Sequence, residues 1–179
     1  MEIEDDMSPR LEVLFTKQQI QDTVEKLARQ IRAEYEGKNP LVLGVLKGSF
    51  IFMADLVRLL DIPLEIDFIS LSSYGSGKES SGKVKMVRGL RASIKGRHIL
   101  VVEDIVDAGI TMDFLIGYLR RKGAASIRIC ALFDKSSRRQ VPVTVDYSGF
   151  EVPDAFVVGY GLDFDEKYRN LPALHRLKE

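Results

Sequence analysis

The stretch His98–Thr111, HILVVEDIVDAGIT, decides how the rest of this chain is interpreted. Its first part, Ile99–Val102, is an unbroken apolar run, which is typical of a strand buried on both faces of a parallel sheet. Two carboxylates, Glu103 and Asp104, follow where such a strand is expected to leave the sheet. We therefore predict a buried strand that delivers two acidic side chains to one edge of a sheet.

The second half of the same stretch predicts a phosphate site. Asp107, Ala108 and Gly109 give a turn with little side-chain bulk, so that backbone N–H groups can close on an anion. Thr111 is expected to cap the following helix, whose N-terminus favours negative charge. Carboxylates that can hold a metal ion or sugar hydroxyls thus lie beside amides that can hold a phosphate. A sugar phosphate is the ligand that suits both.

Helical and strand patterns alternate along the rest of the chain. Thr16 and Gln19 resemble a capping box, and apolar residues then repeat at helical spacing as far as a stop at Gly37. A second, strongly apolar helix is expected over 49–60. Besides the strand at 99–102, strands are predicted over 41–46, 64–71, 126–133 and 155–160.

This order favours a single α/β domain over 1–179 with a mainly parallel, twisted sheet flanked by helices. The first ten residues are expected to form a flexible tail. The segment GSGKESSG, residues 75–82, has no apolar side chain and is expected to be a mobile loop.

Composition narrows the class of protein. The 179 residues are enough for one domain with a substantial core, and 26 basic residues balance 26 acidic ones, so no global field favours nucleic acid or a membrane. The single cysteine, Cys130, lies in an apolar run, where buried packing is expected. No apolar stretch reaches transmembrane length and the acidic N-terminus is unlike a signal peptide, so a cytoplasmic location is expected.

The ends of the predicted strands indicate where a ligand binds. In open parallel sheets, ligands lie beyond the carboxyl ends of the strands, which right-handed crossovers bring to one edge. Groups that can bind a charged ligand follow each predicted strand in turn: Lys47 and Gly48, Ser73 and Tyr74, Glu103 and Asp104, Lys135, and Asp163. Lysines, carboxylates and amides that converge in this way suit a polyanionic, metal-bound substrate better than an apolar ligand.

At these residues the chain resembles a known family. HILVVEDIVDAGIT resembles the phosphoribosyl diphosphate (PRPP) motif of type I phosphoribosyltransferases, and further segments resemble the hypoxanthine-guanine branch of that family. These segments are LKGS at 46–49, SSYG at 72–75, FDKSSRR at 133–139 and FVVGYGLDFDEKYRNLP at 156–172. The resemblance spans roughly residues 11–172. It implies a type I phosphoribosyltransferase fold with a small hood built from about 11–20 and 150–179.

The resemblance also implies an activity. Members of this branch transfer the 5-phosphoribosyl group from PRPP to N9 of hypoxanthine or guanine, sometimes xanthine, giving IMP or GMP and diphosphate. The reaction depends on Mg²⁺ and passes through an oxocarbenium-like transition state. The implied partners are PRPP and a 6-oxopurine base, with assembly as a homodimer or homotetramer and no nucleic acid.

Site residues carry over from the resemblance position by position. For PRPP, it implies that the 5′-phosphate is held by Asp107, Ala108, Gly109, Ile110 and Thr111. Glu103 and Asp104 would hold the ribose hydroxyls, directly or through Mg²⁺. The diphosphate would be held by Lys47, Gly48 and Arg169, and Ser73 and Tyr74 would close over the site. Asp107 is the implied base for the purine N7 proton. Asp163 would complete a second metal site.

For the base, the resemblance implies that Phe156 stacks on the purine and that Lys135 donates to its 6-oxo group. Backbone carbonyls of Val157 and Asp163 would accept from an exocyclic amine. A donor at the 6-position favours 6-oxopurines over adenine, whose 6-amino group is itself a donor. Ala108 departs from the family, which commonly has Ser or Thr there, so weaker PRPP binding is expected.

Ordinary structural roles remain open for these residues. A Glu-Asp pair is usually a solvated turn, Phe156 could belong to the core, and Arg169 could simply pair with Asp165 or Glu166. Two other functional classes also remain: a transferase for adenine or a pyrimidine, and a PRPP-sensing regulator that binds nucleic acid or a partner. The 6-oxopurine pattern argues against the first, and the neutral charge balance argues against the second. The basic segment Lys135–Arg139 keeps the second class in consideration.

Overall fold

The computed structural model describes residues 10–74 and 83–178. It contains three helices, α1 (Lys17–Tyr35), α2 (Phe50–Leu60) and α3 (Ile110–Arg121). The strands are β1 (Arg10–Phe15), β2 (Leu41–Leu46), β3 (Glu65–Tyr74), β4 (Lys83–Arg88), β5 (His98–Val106), β6 (Ser126–Asp134), β7 (Tyr147–Glu151), β8 (Val157–Val158) and β9 (Leu174–Lys178).

The larger sheet has six strands in the order β4-β3-β2-β5-β6-β7. All neighbouring pairs are parallel except β3 and β4, which are antiparallel at one edge. The strand β5 therefore lies inside the sheet, between β2 and β6, and the mainly parallel sheet expected from the sequence is confirmed. The carboxyl ends of β2, β5 and β6 meet at the same edge.

A second, smaller sheet comes from the two ends of the described chain. It has the order β1-β9-β8, with antiparallel pairing throughout. Its strands lie within the two regions, about 11–20 and 150–179, that the resemblance implied for a hood. We refer to residues 159–169, which follow β8, as the hood loop.

Helices cover both faces of the larger sheet. Helices α1 and α2 pack in one apolar cluster with the alternate strand residues Val42, Leu100 and Val102. Helix α3 packs in a second cluster with the intervening residues, which include Leu43 and Val101. Because side chains of a strand point alternately to opposite faces, the continuous apolar runs of β2 and β5 fill both clusters.

The three predicted helices are confirmed within one or two residues. Thr16 and Gln19 form the expected capping box: the Gln19 N–H donates to Thr16 Oγ1 and the Thr16 N–H donates to Gln19 Oε1. Burial of one face of α1, through residues such as Ile20 and Ile31, supplies the tertiary packing that holds this helix.

Several strand predictions were wrong in their bounds or their place. The predicted fifth strand, 155–160, is only the two-residue β8 and belongs to the small sheet, whereas β7 takes its place beside β6. The edge strand β4 was not predicted. Both β4 and β7 are partly exposed and lack an unbroken apolar run, so the pattern that found the central strands does not find these edges.

The strand β5 runs four residues beyond the predicted end at Val102. Glu103 pairs with Ala131, and Val106 pairs with Asp134, so the ladder with β6 continues to the end of the motif. Glu103 and Asp104 thus lie inside the strand rather than after it. Likewise, Ser73 and Tyr74 end β3 instead of following it.

Two sequence predictions fall outside the described residues. The segment 75–82 lies there entirely, and so do residues 1–9 of the predicted tail, whereas Arg10 begins β1. Within the part that is described, no helix is long and apolar enough to cross a membrane.

Candidate active site

The carboxyl edge of the sheet holds a cavity of about 310 Å³. Its lining is almost one continuous segment, running from Glu103 in the second half of β5 to Met112 in the first turn of α3, together with Val84 of β4. All seven residues predicted from Glu103–Thr111 for PRPP binding therefore line a single cavity. The structure places these residues together without assigning their roles.

Glu103 and Asp104 are buried carboxylates at the base of this cavity. They are 7% and 8% exposed. Burial raises the pKa of both groups, and the charge of Asp104 raises that of Glu103 further. Glu103 Oε1 accepts from the Asp104 N–H at 3.1 Å, and Asp104 Oδ1 accepts from the Ile105 N–H at 2.7 Å. The solvated-turn interpretation of this pair is therefore wrong. Two adjacent buried carboxylates are stabilised when a proton or a bound cation neutralises part of their charge.

The fit of Mg²⁺ to these residues follows from the donor set. Among residues 10–74 and 83–178, no group of three or more His, Cys, Asp or Glu side chains is arranged to hold a metal ion. Mg²⁺, however, commonly uses one or two protein carboxylates and takes its other ligands from water and substrate phosphates. Glu103 and Asp104 fit that pattern, and a bound cation would satisfy two adjacent buried charges.

Gly48 lies directly against Asp104. A Cβ built on Gly48 would overlap Asp104 Oδ2, and a Cβ built on Gly161 would overlap the Gly48 carbonyl oxygen. Gly48, in the turn after β2, thus contacts both Asp104 of β5 and Gly161 of the hood loop. These contacts are too close for any residue with a Cβ at either glycine position. The peptide bond between Leu46 and Lys47 in the same turn is cis.

The turn that leads into α3 is held by backbone contacts. Gly109 occupies the N-cap position with φ 86°, a left-handed conformation that favours glycine. The Ala108 carbonyl accepts from the N–H groups of Gln140 and Val141 at 3.0 and 3.1 Å. Thr111 is the second residue of α3 and makes no capping hydrogen bond, so the predicted cap was wrong. Its side chain is left to face the cavity that it lines.

Asp107 lies on this turn beside a guanidinium. Asp107 Oδ1 is 3.5 Å from Arg138 Nε and has no hydrogen-bond partner among the described residues, although this atom is buried. Arg138 also pairs with Asp154 at 3.2 Å. Asp107 therefore presents a buried oxygen atom without a hydrogen-bond partner in the described part of the chain, at the position where the resemblance implies a base.

Arg139 supports the same turn from β6. Its Nη1 donates to the Asp107 carbonyl at 2.9 Å and its Nη2 pairs with Asp134, the last residue of β6. Both charged side chains of this pair are largely buried. Lys135, Arg138 and Arg139 of the basic segment 135–139 thus all contact acceptor groups within the chain.

The residues expected at the purine lie on the neighbouring strand end. Lys135 follows β6, is 7% exposed, and donates from Nζ to the Ala155 carbonyl at 2.7 Å. Phe156, next to Ala155, is 54% exposed and packs edge-to-face on Phe164 with ring centroids 5.4 Å apart. The core interpretation of Phe156 is thus wrong. Val157 begins β8 and is buried.

The residues expected at the diphosphate are engaged with carboxylates of the hood loop. Lys47 Nζ lies 3.0 and 2.9 Å from the two carboxylate oxygens of Glu166. Arg169 Nη2 lies 2.7 Å from Asp163 and 3.7 Å from Glu166, and its Nη1 donates to the Gly161 carbonyl at 2.8 Å. Hydrogen bonds and charge from Lys47 lower the pKa of Glu166. Asp163, the third expected metal ligand, is already paired.

Three residues of this site were not assigned a role from the sequence. Gly161 lies within a quoted motif, and its need for glycine shows only in the contact with Gly48. Arg139 was grouped with its neighbours as a basic turn, and Glu166 was considered only as a partner of Arg169. The side chains of Ser73 and Tyr74, predicted to close the site, lie outside the described part of the structure.

Comparison with known proteins now adds to this geometry. The family described as "Phosphoribosyl transferase domain" matches residues 12–165. The chain belongs to the phosphoribosyltransferase family. Solved hypoxanthine phosphoribosyltransferase structures place it in the hypoxanthine branch. The Staphylococcus aureus enzyme shares 40% identity and a TM-score of 0.90 over 99% of this chain and 97% of that one.

Curated relatives agree with this family membership. The hypoxanthine-guanine phosphoribosyltransferase of Bacillus subtilis is 49% identical over 166 residues, which cover 93% of this chain and 92% of that protein. The bifunctional protein TilS/HprT of Listeria innocua is 48% identical over 166 residues. The chain spans only 26% of the length of that larger protein. The resemblance recognised in the sequence is confirmed.

Proposed function

We propose that this chain transfers the 5-phosphoribosyl group of PRPP to N9 of a 6-oxopurine, giving the nucleoside monophosphate and diphosphate. The single observation that carries the proposal is the cavity at the end of β5, where two buried carboxylates and a glycine turn at a helix N-terminus line the same space. Relatives named as hypoxanthine-guanine phosphoribosyltransferases support the choice of base.

The phosphate end of the substrate is bound by the turn into α3. Residues 107–111 line the cavity at the N-terminus of α3, where backbone amides and the positive end of the helix would complement a 5′-phosphate. The contacts from Ala108 and Arg139 fix this turn in advance, so that little order is lost when the phosphate binds. This side of the site anchors PRPP.

The reacting carbon needs negative charge as the diphosphate leaves. Glu103 and Asp104, at the base of the cavity, hold the ribose hydroxyls and present preorganised carboxylates to the developing oxocarbenium ion. Mg²⁺, which we propose as the cofactor held by these carboxylates, supplies charge neutralisation for the diphosphate. Lys47 and Arg169 hold the diphosphate itself, and the Gly48 N–H adds a donor in the same turn.

The purine is bound between Lys135 and Phe156. Lys135 donates to the 6-oxo group, Phe156 stacks on the base, and the carbonyls of Val157 and Asp163 accept from an exocyclic amine. Asp107 takes the N7 proton as N9 attacks. Ser73 and Tyr74 close over the substrates, and water exclusion then protects the cation-like carbon from hydrolysis.

Assembly and location complete the proposal. We propose a homodimer or homotetramer in which the exposed apolar residues of α2 and β3, Phe50, Leu59 and Ile66, meet a second copy. We further propose that the protein acts in the cytoplasm. The sequence has one cysteine, Cys130, which is buried and cannot form a disulfide within the chain, as is common in a reducing compartment.

Diphosphate release from PRPP and Mg²⁺ tests the proposal directly. The protein is assayed with hypoxanthine, guanine, xanthine, adenine, uracil or no base. Release with 6-oxopurines alone is expected, and the relative rates identify the preferred base. Release with adenine or uracil instead would overturn the base site but keep the PRPP site. PRPP binding without any release would favour a regulator.

A further inference from the structure

We propose that Glu166 is an internal competitor of diphosphate, which occupies the two diphosphate-binding cations whenever the substrate is absent. This inference rests on the proposed function, because Lys47 and Arg169 are assigned to diphosphate there. It adds a residue that regulates occupancy of that subsite. The class of ligand concerned is the diphosphate group, whether as part of PRPP or as the released product.

The contacts of Glu166 match those expected of a bound phosphate group. Both of its carboxylate oxygens lie within 3.0 Å of Lys47 Nζ, and one lies 3.7 Å from Arg169 Nη2. One carboxylate thus bridges two cations that come from distant parts of the chain. Carboxylates and phosphates present similar anionic oxygens to lysine and arginine, so one can replace the other.

A role in stability alone does not account for this arrangement. The side chains of Lys47 and Glu166 are each 66% exposed, and ion pairs at such exposure contribute little to folding. Arg169, in contrast, is 20% exposed and is held independently by Asp163 and by the Gly161 carbonyl. The hood loop therefore does not need Glu166 to keep Arg169 in place.

The backbone around Glu166 is held in an unfavourable conformation. Asp165, Glu166 and Tyr168 have φ values of 50°, 61° and 75°, a left-handed region that residues other than glycine rarely adopt. The Glu166 N–H donates to Asp163 Oδ2 at 2.9 Å and helps to hold this turn. Three such residues within four positions direct the carboxylate of Glu166 to Lys47.

Competition follows from this geometry. When PRPP arrives, its diphosphate must displace the Glu166 carboxylate from Lys47, so part of the binding free energy is offset. After transfer, the same carboxylate can return to the cations and help the product diphosphate to leave. Glu166 therefore weakens binding of substrate and product together, and it favours turnover where product release is slow.

Binding of inorganic diphosphate with Mg²⁺, measured by isothermal titration calorimetry, tests this inference without any catalysis. Glu166→Gln keeps the size of the side chain and removes its charge. We expect this variant to bind diphosphate about threefold to fivefold more tightly than the unaltered chain. The KM for PRPP should fall by a similar factor, the KM for the purine should stay the same, and inhibition by diphosphate should become stronger.

Asp165→Asn provides the matched control. It removes the same charge one position earlier in the same left-handed turn, and Asp165 forms no ion pair with the described residues. If Glu166 competes with diphosphate, the affinity of this variant for diphosphate should change by no more than about twofold. The substitution alters only the long-range charge near the site, which salt screens. In a Lys47→Met background, Glu166→Gln should lose most of its effect.

Failure of this inference is distinguishable from failure of the proposed function. If the unaltered chain releases diphosphate with 6-oxopurines but Glu166→Gln binds diphosphate equally or more weakly, Glu166 only positions Lys47 and the competition is wrong. Equal tightening by Asp165→Asn would also overturn it, since net charge would then explain the effect. If the unaltered chain neither binds diphosphate nor turns over, the proposed function fails first.

Discussion

The two sides of the candidate site are built in opposite ways. The phosphate side, Glu103–Thr111, is one continuous piece of chain that leaves the middle of the larger sheet and enters a helix. The purine and diphosphate side draws on residues far apart in the chain, from Lys47 to Arg169. It is held together by single contacts such as the 2.7 Å hydrogen bond from Lys135 to Ala155.

Burial differs most between the carboxylate pair of the phosphate side and the aromatic pair of the purine side, although Lys135 on the purine side is also buried. Glu103 and Asp104 are under 10% exposed, whereas Phe156 and Phe164 are 54% and 44% exposed. A buried charged pair in a packed sheet has one arrangement, and changes there should abolish function. Exposed residues on a loop can change partners, and changes there should alter which ligand binds and how tightly.

The largest expected effect falls on the phosphate side, at Asp107. Asp107→Asn keeps the shape of the side chain but cannot take a proton, so kcat should fall by about 10²- to 10⁴-fold. The dissociation constant for PRPP should change far less, because the backbone amides still hold the phosphate. Rapid-quench turnover and calorimetric PRPP binding measure the two quantities separately.

Asp154→Asn is the control for this substitution. Asp154 is the other carboxylate partner of Arg138, at 3.2 Å, so this variant perturbs the same guanidinium without touching the proposed base. It should retain nearly full turnover. If Asp107→Asn also retained turnover, the N7 proton would have to leave to solvent or to another group.

The second effect tests whether the close contact between Gly48 and Asp104, which joins the two sides of the site, is needed for activity. Gly48→Ala places a methyl group where Asp104 Oδ2 lies, and the neighbouring Gly161 leaves no room to move outward. We expect kcat/KM to fall by about tenfold to 100-fold, with a loss of about 1–3 kcal/mol in the free energy of unfolding from overpacking. Steady-state kinetics and denaturant titration check both expectations.

Gly117→Ala is the matched substitution for Gly48→Ala. A Cβ at Gly117 would meet only the flexible end of Arg121, at 3.3 Å, in the middle of α3. Alanine has the higher helix propensity, so this variant should be neutral or slightly more stable. A normal Gly48→Ala enzyme would mean that the hood loop and the turn after β2 can separate without consequence.

The difference between the two sides also decides what the sequence could predict. An unbroken apolar run, a carboxylate pair and a small turn lie side by side in HILVVEDIVDAGIT, so local pattern alone indicated the strand, the acidic groups and the helix start. The central strands β2 and β6 were found for the same reason. Even there, hydrogen bonding with β6 extends β5 to Val106, four residues beyond the end of the apolar run at Val102.

Features fixed by distant contacts could not be predicted in this way. The edge strand β7 is defined by pairing with β6, and the placement of β8 depends on β9 from the C-terminal end. The carboxylate that meets Lys47 lies 119 residues away in Glu166. A local pattern cannot show a contact over that separation. Lys135 was found from its place after a predicted strand, whereas only the resemblance drew attention to Phe156 and Arg169.

A third effect concerns the choice of base on the purine side. Lys135→Ala should narrow the difference in kcat/KM between hypoxanthine and adenine, by about tenfold, because the donor to the 6-position is lost. Lys135→Met should do the same while preserving most of the packing of this buried side chain. A persistent preference for 6-oxopurines in both variants would show that another group recognises the 6-position.

The smallest expected effect returns to the phosphate side, at Ala108. Ala108→Thr supplies a hydroxyl to the cavity, while the backbone carbonyl of residue 108 keeps its bonds from Gln140 and Val141. One added hydrogen bond should lower the KM for PRPP by about twofold to tenfold. The KM for the purine should not change, because the purine is bound on the other side.

Ala108→Val separates the hydroxyl from the added bulk, since valine has nearly the shape of threonine without its donor. A gain in Ala108→Thr that is absent from Ala108→Val would assign the effect to the hydroxyl. Equal gains would assign it to packing, and an unchanged or raised KM in Ala108→Thr would show that the amides of this turn already satisfy the phosphate. In that last case the phosphate side would be complete without the hydroxyl that the resemblance led us to expect, and affinity for PRPP would be set mainly by the contacts to its diphosphate.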